Sequence, residues 1–267
     1  MNTTAGPAGT HPASGLNSEV PHSARIWNYW LGGKDNFAAD RAVGDKVIEQ
    51  YPEIVRVARE SRAFLRRAVT FLTGEAGIRQ FLDLGTGLPT VDNTHQVAQA
   101  IAPEAKIVYV DNDPLVLCHA RALLTSDPAG ATAYVDADVR DPDTVLREAA
   151  KTLDFGRPVA VMMLGILGHV ADDDKPADIV HRIVAELAPA SYLAVNDSVL
   201  TDRTSRAVKA ARDGGADYHL RTPTQIEQFF DTLDLVEPGV VSTPLWRPDI
   251  DSPETLNVYC GIARKAG

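Results

Sequence analysis

Residues 81–87 read FLDLGTG, and the next apolar run, residues 107–111, reads IVYVD. Each run carries an acidic residue near the end of its apolar part, Asp83 in the first and Asp111 in the second. The first run then continues into two glycines, Gly85 and Gly87. A strand that leads into glycines, followed by a second strand with an acidic end, is typical of one half of a nucleotide-binding α/β sheet. Glycine lets a ligand lie against the backbone, and a carboxylate can accept hydrogen bonds from both hydroxyls of a ribose.

The order of residues in this motif argues against a dinucleotide. Asp83 stands immediately before the first Leu-Gly step, and Pro89 stands where a third glycine would be expected. No pattern that cradles a diphosphate follows. The motif therefore predicts a nucleoside ligand without a pyrophosphate, and it weighs against NAD.

Composition and charge narrow the class of protein. The 267 residues are 45% hydrophobic and 23% charged, which fits one α/β domain with an extension. The net charge of −10 argues against a nucleic-acid partner, and the arginines within residues 56–67 are interpreted as the solvated face of one helix. No apolar run reaches the ~20 residues that span a bilayer. Because Cys118 and Cys260 are far apart and lack metal-ligand spacing, we expect a cytoplasmic protein without a metal site or membrane partner.

Three regions follow one another along the chain. Residues 1–20 are rich in small and polar residues and are predicted to be a disordered tail. Residues 21–76 are predicted to form an N-terminal helical cap, with helices at 23–31 and from Pro52 to Gly74. Residues 77–267 are predicted to form the ligand-binding domain.

Strands and helices are expected to alternate in the ligand-binding domain, which predicts a mostly parallel sheet covered by helices. A terminal antiparallel hairpin closes the sheet, after a helix over residues 222–233. The predicted parallel strands are 79–84, 107–111, 132–136, 159–164 and 191–196; the helices between and after them are 93–102, 114–125, 142–151, 176–188 and 202–212; the hairpin strands are 234–242 and 255–264.

Three stretches resemble an S-adenosyl methyltransferase family long described as a domain of unknown function. They are residues 24–37 (ARIWNYWLGGKDNF), 84–90 (LGTGLPT) and 108–114 (VYVDNDP). The resemblance implies a Rossmann-like class I methyltransferase fold with S-adenosyl-L-methionine as the cofactor. Residues 166–170 (ILGHV) and 196–198 (NDS) depart from the turns common in that family.

The acidic strand ends supply the predicted cofactor contacts. Asp111 would accept from the ribose hydroxyls, with Asn112 at the adenine edge. Asp138 would accept from the adenine amine while the backbone of Val139 meets a ring nitrogen, with Asp136 and Asp141 as the alternatives to Asp138. Asp83 would accept from loop amides or the ligand's ammonium. The predicted cofactor-binding residues are Arg25, Asp83, Gly85, Gly87, Asp111, Asn112, Asp138 and Val139.

The aromatic segment of residues 25–37 has two interpretations. In one, it folds over the open edge of the sheet, so that Arg25 reaches the ligand's carboxylate and polar neighbours face the acceptor. In the other, it is a helical pair that packs on the sheet with its aromatic residues as core. The predicted substrate-side residues are Asn28, Tyr29, Lys34, Asp35 and Asn36.

Catalysis of methyl transfer needs a general base only where the nucleophile must lose a proton. His169 and Asp197, at the predicted ends of strands four and five, are the candidate catalytic residues. The resemblance leads us to expect an S-adenosylmethionine-dependent methyltransferase, and the negative net charge favours a small-molecule acceptor. The alternatives are a non-catalytic nucleoside-binding regulatory protein and an NAD-dependent oxidoreductase.

Overall fold

The structure, a computed structural model, describes residues 17–123 and 126–267. Residues 1–16 of the predicted disordered tail, and residues 124–125 of the predicted helix 114–125, lie outside the described residues.

The sheet has the strand order β3-β2-β1-β4-β5-β8-β6, with β7 also paired to β8. Strands β1 to β5 are parallel, and β8 runs antiparallel to β5. Both β2 and β4 are neighbours of β1, so the chain reverses its direction of crossover there and opens a crevice at the carboxyl ends of the strands. The strands are β1 Gln80–Leu84, β2 Lys106–Asp111, β3 Ala131–Asp136, β4 Ala160–Leu164, β5 Tyr192–Ser198, β6 Asp234–Leu235, β7 Val241–Ser242 and β8 Val258–Arg264.

The alternation of strands and helices predicted from the sequence is confirmed. The described α-helices are α1 Ser23–Trp30, α2 Ala38–Gln50, α3 Ile54–Gly74, α4 Thr94–Ile101, α5 Pro114–Leu123, α6 Pro142–Ala149, α7 Pro176–Glu186, α8 Asp202–Arg212 and α9 Pro223–Glu227.

The terminal hairpin differs in detail from the prediction. Instead of one strand over 234–242, β6 and β7 pair with β8 separately, because the chain turns between them. At this turn the N–H of Gly239 donates to the carbonyl of Val236, and Gly239 has a φ of +84°. The predicted helix 222–233 is also shorter, since α9 gives way to a 3-10 turn at Gln228–Phe230.

Helix α2 was not predicted from the sequence. Its inward stripe is narrow, with Val43 and Val47 buried and Gly44 between them. Its first turn is organised by Asp40, which is fully buried and accepts hydrogen bonds from the backbone N–H groups of His22 (2.9 Å) and Phe37 (2.8 Å). A polar residue thus starts this helix, and an apolar period search does not detect it.

Alternate residues of the strands face two apolar layers. Leu82 and Val108 join the layer that contains α6 and α7, whereas Phe81 and Ile107 join the layer that contains α3. A third cluster, in which Val47 and Tyr51 pack with Ala207 of α8, lies above the carboxyl edge of the sheet. This arrangement leaves a space between that cluster and the strand ends.

Candidate active site

A cavity of about 380 Å³ lies between the carboxyl ends of β1 to β5 and the helices α1, α2, α3 and α8. Its cofactor side is the part lined by residues at and just after the carboxyl ends of β1, β2 and β3. Its acceptor side is the part lined by residues at and just after the carboxyl ends of β4 and β5, by residues 216–218 and 220, and by α1, α2 and α8. The predicted site residues that line the cavity are Asn28, Asp83, Gly85, Gly87, Asp111, Asn112, Asp138, Val139, His169 and Asp197.

The two glycines of the loop after β1 serve different purposes. Gly85 and Gly87 have φ angles of +68° and +65°, which only glycine adopts readily. A Cβ on Gly85 would lie 2.6 Å from the side chain of Ile166, whereas a Cβ on Gly87 would meet nothing within 4 Å. Gly85 is therefore required by packing within the protein, and Gly87 faces open space in the cavity.

Asp111 holds this loop through its carboxylate. Its Oδ2 accepts from the N–H of Gly87 and its Oδ1 from the N–H of Asp113, both at 2.9 Å. Burial raises the pKa of Asp111, although these two backbone donors oppose the rise. The carboxylate is thus fixed at the carboxyl end of β2, at the wall of the cavity.

Asp83 is enclosed below the loop. Its Oδ2 accepts from the hydroxyl of Thr94 at 2.6 Å. Burial raises the pKa of Asp83 from 3.8 to about 6, while the Thr94 hydrogen bond and the charge of Arg62 oppose the rise. A buried carboxylate with one strong partner keeps acceptor capacity for a further donor.

Asp138 is the most exposed of the three cofactor-side acids. Its Oδ1 accepts from the backbone N–H and the Nε of Arg140, both at 2.9 Å, and Asn112 Nδ2 donates to its Oδ2 at 3.3 Å. The Arg140 guanidinium holds the pKa of Asp138 below its usual value. Val139, the next residue, is buried at the cavity wall.

Arg25 does not line the cavity, which corrects the expectation that it reaches a bound carboxylate. Its guanidinium donates to the carbonyls of Val20 (2.5 Å) and Asn17 (3.3 Å), and its Nε lies 3.3 Å from Asp40 Oδ1. The side chain is 4% exposed, and its charge is paired with Asp40 inside the cap rather than presented to the cavity.

Four predicted substrate-side residues also lie outside the cavity wall. Three of them belong to the loop of residues 34–36, which Asn28 holds against α1 by hydrogen bonds. The Oδ1 of Asn28 accepts from the N–H of Asp35 (3.1 Å) and from Asn36 Nδ2 (2.9 Å), so the loop folds onto α1. The hydroxyl of Tyr29 donates to Asp45 of α2 instead, at 2.6 Å on the protein surface. Hydrogen bonds within the cap therefore account for this segment, and the residues away from the wall are Tyr29, Lys34, Asp35 and Asn36.

Asp197 ends β5 in a buried position, 4% exposed. Its Oδ1 accepts from the hydroxyl of Tyr218 at 2.5 Å and from the N–H of Gly168 at 3.2 Å, whereas its Oδ2 has no hydrogen-bond partner. Burial raises the pKa of Asp197 from 3.8 to about 6. Burial and the Asp197 charge raise the pKa of Tyr218 well above its usual value.

His169 stands beside this pair, with its ring edge-on to Tyr218 at 5.0 Å between centroids. Its Nδ1 lies 3.1 Å from the carbonyl oxygen of Asp217, which assigns the proton to Nδ1 and leaves a lone pair on Nε2. The side chain is exposed where it lines the cavity, and desolvation by the surrounding protein lowers the pKa of His169. A neutral imidazole with a free Nε2 can act as a base.

Sequence reasoning gave no site role to several cavity residues, and three of them bear on the chemistry. Arg62 of α3 lines the wall near Asp83, with its charge acting on that carboxylate, and it donates to the carbonyl of Val91 at 2.8 Å. His22 lines the wall with its Nδ1 2.9 Å from Asp113 Oδ2. Tyr218 is the third. Arg62 belongs to the arginine run that the sequence analysis interpreted as a solvated helix face, and its place in the cavity wall corrects that interpretation. No local motif marks His22 or Tyr218.

The part of the chain that the structure describes lacks two features, a metal-binding cluster and a membrane-spanning helix. Residues 17–123 and 126–267 contain no group of three His, Cys, Asp or Glu side chains arranged to hold a metal ion. Within the same ranges, no helix combines the length and the apolar character that a membrane crossing requires.

The parallel strands β1 to β5 with an antiparallel β8, and the cavity at their carboxyl edge, define a class I methyltransferase fold. A crystal structure of magnesium protoporphyrin IX methyltransferase from Synechocystis, with bound S-adenosylhomocysteine, shares this fold with a TM-score of 0.53. The two chains are 11% identical, and the match covers 90% of this chain and 93% of that one.

The sequence model of the S-adenosyl methyltransferase family matches residues 9–266, and the chain belongs to this family. A DUF574 family protein from Streptomyces avermitilis is 42% identical, with a TM-score of 0.89 over 93% of this chain and 98% of that one. A proposed methyltransferase from Thermobifida fusca is 44% identical, with a TM-score of 0.88 over 96% and 99%. No curated protein matches the chain.

These comparisons identify the protein as an S-adenosylmethionine-dependent methyltransferase with S-adenosyl-L-methionine as its cofactor. They favour this function over the NAD-dependent and the non-catalytic alternatives.

Proposed function

We propose that the protein transfers a methyl group to a small-molecule acceptor that enters the acceptor side of the cavity. One observation carries the proposal: a single cavity joins Gly87 and Asp111 to His169 and Asp197 beneath α1 and α2. A cofactor on one side and an acceptor on the other would therefore share one enclosed space, which aligns the reacting groups and excludes water.

The cofactor side fits the adenosine of S-adenosylmethionine. Gly87 leaves open space beside the backbone, and the fixed carboxylate of Asp111 suits the two ribose hydroxyls. Asp138 and the backbone of Val139 suit the adenine amine and a ring nitrogen, with Asn112 beside them. To bind the ribose, the Asp111 carboxylate would accept from the ribose hydroxyls in addition to, or in place of, the N–H groups of Gly87 and Asp113.

The amino-acid tail of the cofactor carries one positive and one negative charge. Asp83 is placed to accept from the ammonium group, since its carboxylate is buried at the wall with one side-chain donor. We assign the carboxylate to Arg62, which is the arginine on the α3 side of the wall, in place of Arg25. Burial lowers the pKa of Arg62, and an anionic partner would offset that desolvation.

Bound S-adenosylmethionine supplies an electrophilic methyl group. The chain supplies an apolar acceptor side whose walls include Trp27, Trp30 and Val47, and two candidate bases, His169 and Asp197, at the strand ends. Either can take a proton from an acceptor: His169 through Nε2, and Asp197 because its pKa of about 6 leaves it ionised at neutral pH.

Calorimetry with S-adenosylhomocysteine, followed by turnover of labelled methyl donor against panels of metabolites, peptides and RNA, tests the proposal. We expect binding with a Kd in the micromolar range or tighter and methylation confined to the metabolite panel. Methylation of peptide or RNA alone would contradict the small-molecule acceptor, and binding without any turnover would restore the regulatory alternative.

We also propose that the protein acts in the cytoplasm without a nucleic-acid or membrane partner. The net charge of −10 supports the exclusion of nucleic acid, and the two free cysteines, Cys118 and Cys260, suit a reducing compartment. Cell fractionation with a membrane-protein control tests the location, and recovery in the membrane fraction would contradict it.

A further inference from the structure

The pair formed by Tyr218 and Asp197 has a hydrogen-bonding capacity that the protein does not use. The hydroxyl of Tyr218 donates to Asp197 Oδ1 at 2.5 Å and accepts from the N–H of Ser198 at 3.2 Å. A phenolic oxygen has one proton and two acceptor positions, so one acceptor position remains. Tyr218 is half-buried and lines the cavity, so a molecule bound beside it is within reach of the side chain that carries this acceptor position.

The packing around Tyr218 holds its ring in one place. A Cβ on Gly168 would lie 2.1 Å from Tyr218 Cζ, so the ring rests directly on the backbone after β4. His169 stacks edge-on against it, and the N–H of Gly168 fixes Asp197 from below. The neighbouring N–H of His219 donates to the carbonyl of Gly168 at 2.6 Å, which ties the loop of Tyr218 to the same turn.

We propose that Tyr218, held by Asp197, contacts the methyl acceptor and selects a molecule that presents a hydroxyl group. This inference rests on the proposed function and names the acceptor class. The remaining acceptor side is lined by side chains such as Trp27, Trp30 and Leu220, so the hydroxyl is carried by a largely apolar molecule.

The pair also provides a route for the acceptor's proton. As the acceptor O–H bond breaks, its proton bonds to the oxygen of Tyr218, and the former Tyr218 proton bonds to Asp197 Oδ1. The acceptor oxygen keeps the electron pair of the broken bond and becomes the nucleophile, while the negative charge of Asp197 is neutralised. Asp197 is suited to this part because burial raises its pKa to about 6, so that it is ionised at neutral pH yet accepts a proton readily.

A hydroxyl is favoured over an amine because only the hydroxyl needs this proton acceptor. A neutral amine can attack with its own lone pair and release a proton afterwards. For amine methylation, the buried carboxylate of Asp197 would carry a free-energy cost of desolvation and would have no part in the reaction.

The test uses matched sets of aromatic and aliphatic compounds in which one position carries a hydroxyl, amine, thiol or methyl ether. We expect the wild-type protein to methylate hydroxyl members. Tyr218→Phe and Asp197→Asn should each lower kcat by about 100-fold, in line with loss of general-base assistance, with the Kd for S-adenosylhomocysteine unchanged within about twofold. If Tyr218→Phe does not fold, Asp197→Asn carries the same expectation.

A binding measurement separates recognition from turnover. In protein saturated with S-adenosylhomocysteine, the best hydroxyl compound should bind at least about fivefold more tightly than its methyl ether, and Tyr218→Phe should abolish the difference. Methylation confined to amines or thiols, or hydroxyl methylation that Tyr218→Phe leaves unchanged, would overturn the inference. A wild-type protein that binds S-adenosylhomocysteine but methylates no hydroxyl member would also overturn it, whereas failure to bind S-adenosylhomocysteine would contradict the proposed function itself.

Discussion

The cofactor side and the acceptor side of the cavity are built in different ways. On the cofactor side, Asp83, Asp111 and Asp138 each end or follow a strand, and the loop that they surround is contiguous in sequence. On the acceptor side, Tyr218 belongs to no strand and reaches Asp197 from the loop after α8, under helices from the other end of the chain. Strand-end motifs therefore mark the residues of the first side, whereas the packing of loops and helices assembles the second.

The largest expected effect tests how the cofactor side is packed. Gly85→Ala should lower the free energy of unfolding by about 3 kcal/mol, because a Cβ there would combine a left-handed backbone with overpacking against Ile166. Gly87→Ala is the matched control: it has a similar φ but open space, so it should cost only about 1–2 kcal/mol. Chemical denaturation measures both, and equal costs would show that Ile166 does not constrain the loop.

The next effect concerns the ribose contact. Asp111→Ala should weaken S-adenosylhomocysteine binding by about 1.5–3 kcal/mol, because it removes charged hydrogen bonds to the ribose and loosens the Gly87 backbone. Asp136→Ala is the matched control, since Asp136 is the register partner of Asp111 at the end of β3 but is exposed and outside the cavity. Calorimetry on the two folded variants measures the affinity for S-adenosylhomocysteine. Equal affinities of Asp111→Ala and Asp136→Ala would mean that the ribose lies elsewhere.

The fold was more predictable than the site for a physical reason. Apolar periods are local, so the βα alternation could be predicted, although α2 was missed because a buried aspartate and a glycine interrupt its short stripe. Two arginines show why the site residues were harder to predict from the sequence. Arg25 and Arg62 are both cationic residues on helices of the cap region. Only the fold shows that Arg25 donates hydrogen bonds to the carbonyls of Asn17 and Val20, whereas Arg62 lines the cavity.

A pH-dependent effect follows from the burial of Asp83. Its pKa of about 6 exceeds the unfolded value of 3.8, so the folded state holds the proton more tightly and loses stability as the pH rises from about 4 to 6. The shift corresponds to about 3 kcal/mol, and loss of the Thr94 hydrogen bond offsets part of it. Asp83→Asn should therefore stabilise the cofactor-free protein by about 1–2 kcal/mol at pH 7.5 and by much less at pH 4.5. Denaturation at the two pH values tests this, and a pH-independent difference would contradict it.

Arg62 offers a test at the boundary between the two sides. Arg62→Gln should weaken S-adenosylhomocysteine binding about tenfold, by loss of a charge-assisted contact to the carboxylate, and should leave binding of 5′-methylthioadenosine, which lacks the amino-acid tail, unchanged. Arg66→Gln is the control on the same helix, because Arg66 pairs with Asp249 at the surface. An equal loss for both ligands would place Arg62 away from the tail.

The smallest expected effect concerns the cap. Tyr29→Phe removes only an exposed hydrogen bond to Asp45, so it should change the free energy of unfolding by less than about 0.5 kcal/mol and leave turnover of any acceptor within twofold. Tyr218→Phe is the matched comparison, since it deletes the same atom from a tyrosine that lines the cavity. If Tyr29→Phe impaired turnover as strongly as Tyr218→Phe, the cap would have to rearrange around the acceptor, and the acceptor side would extend beyond the walls described above.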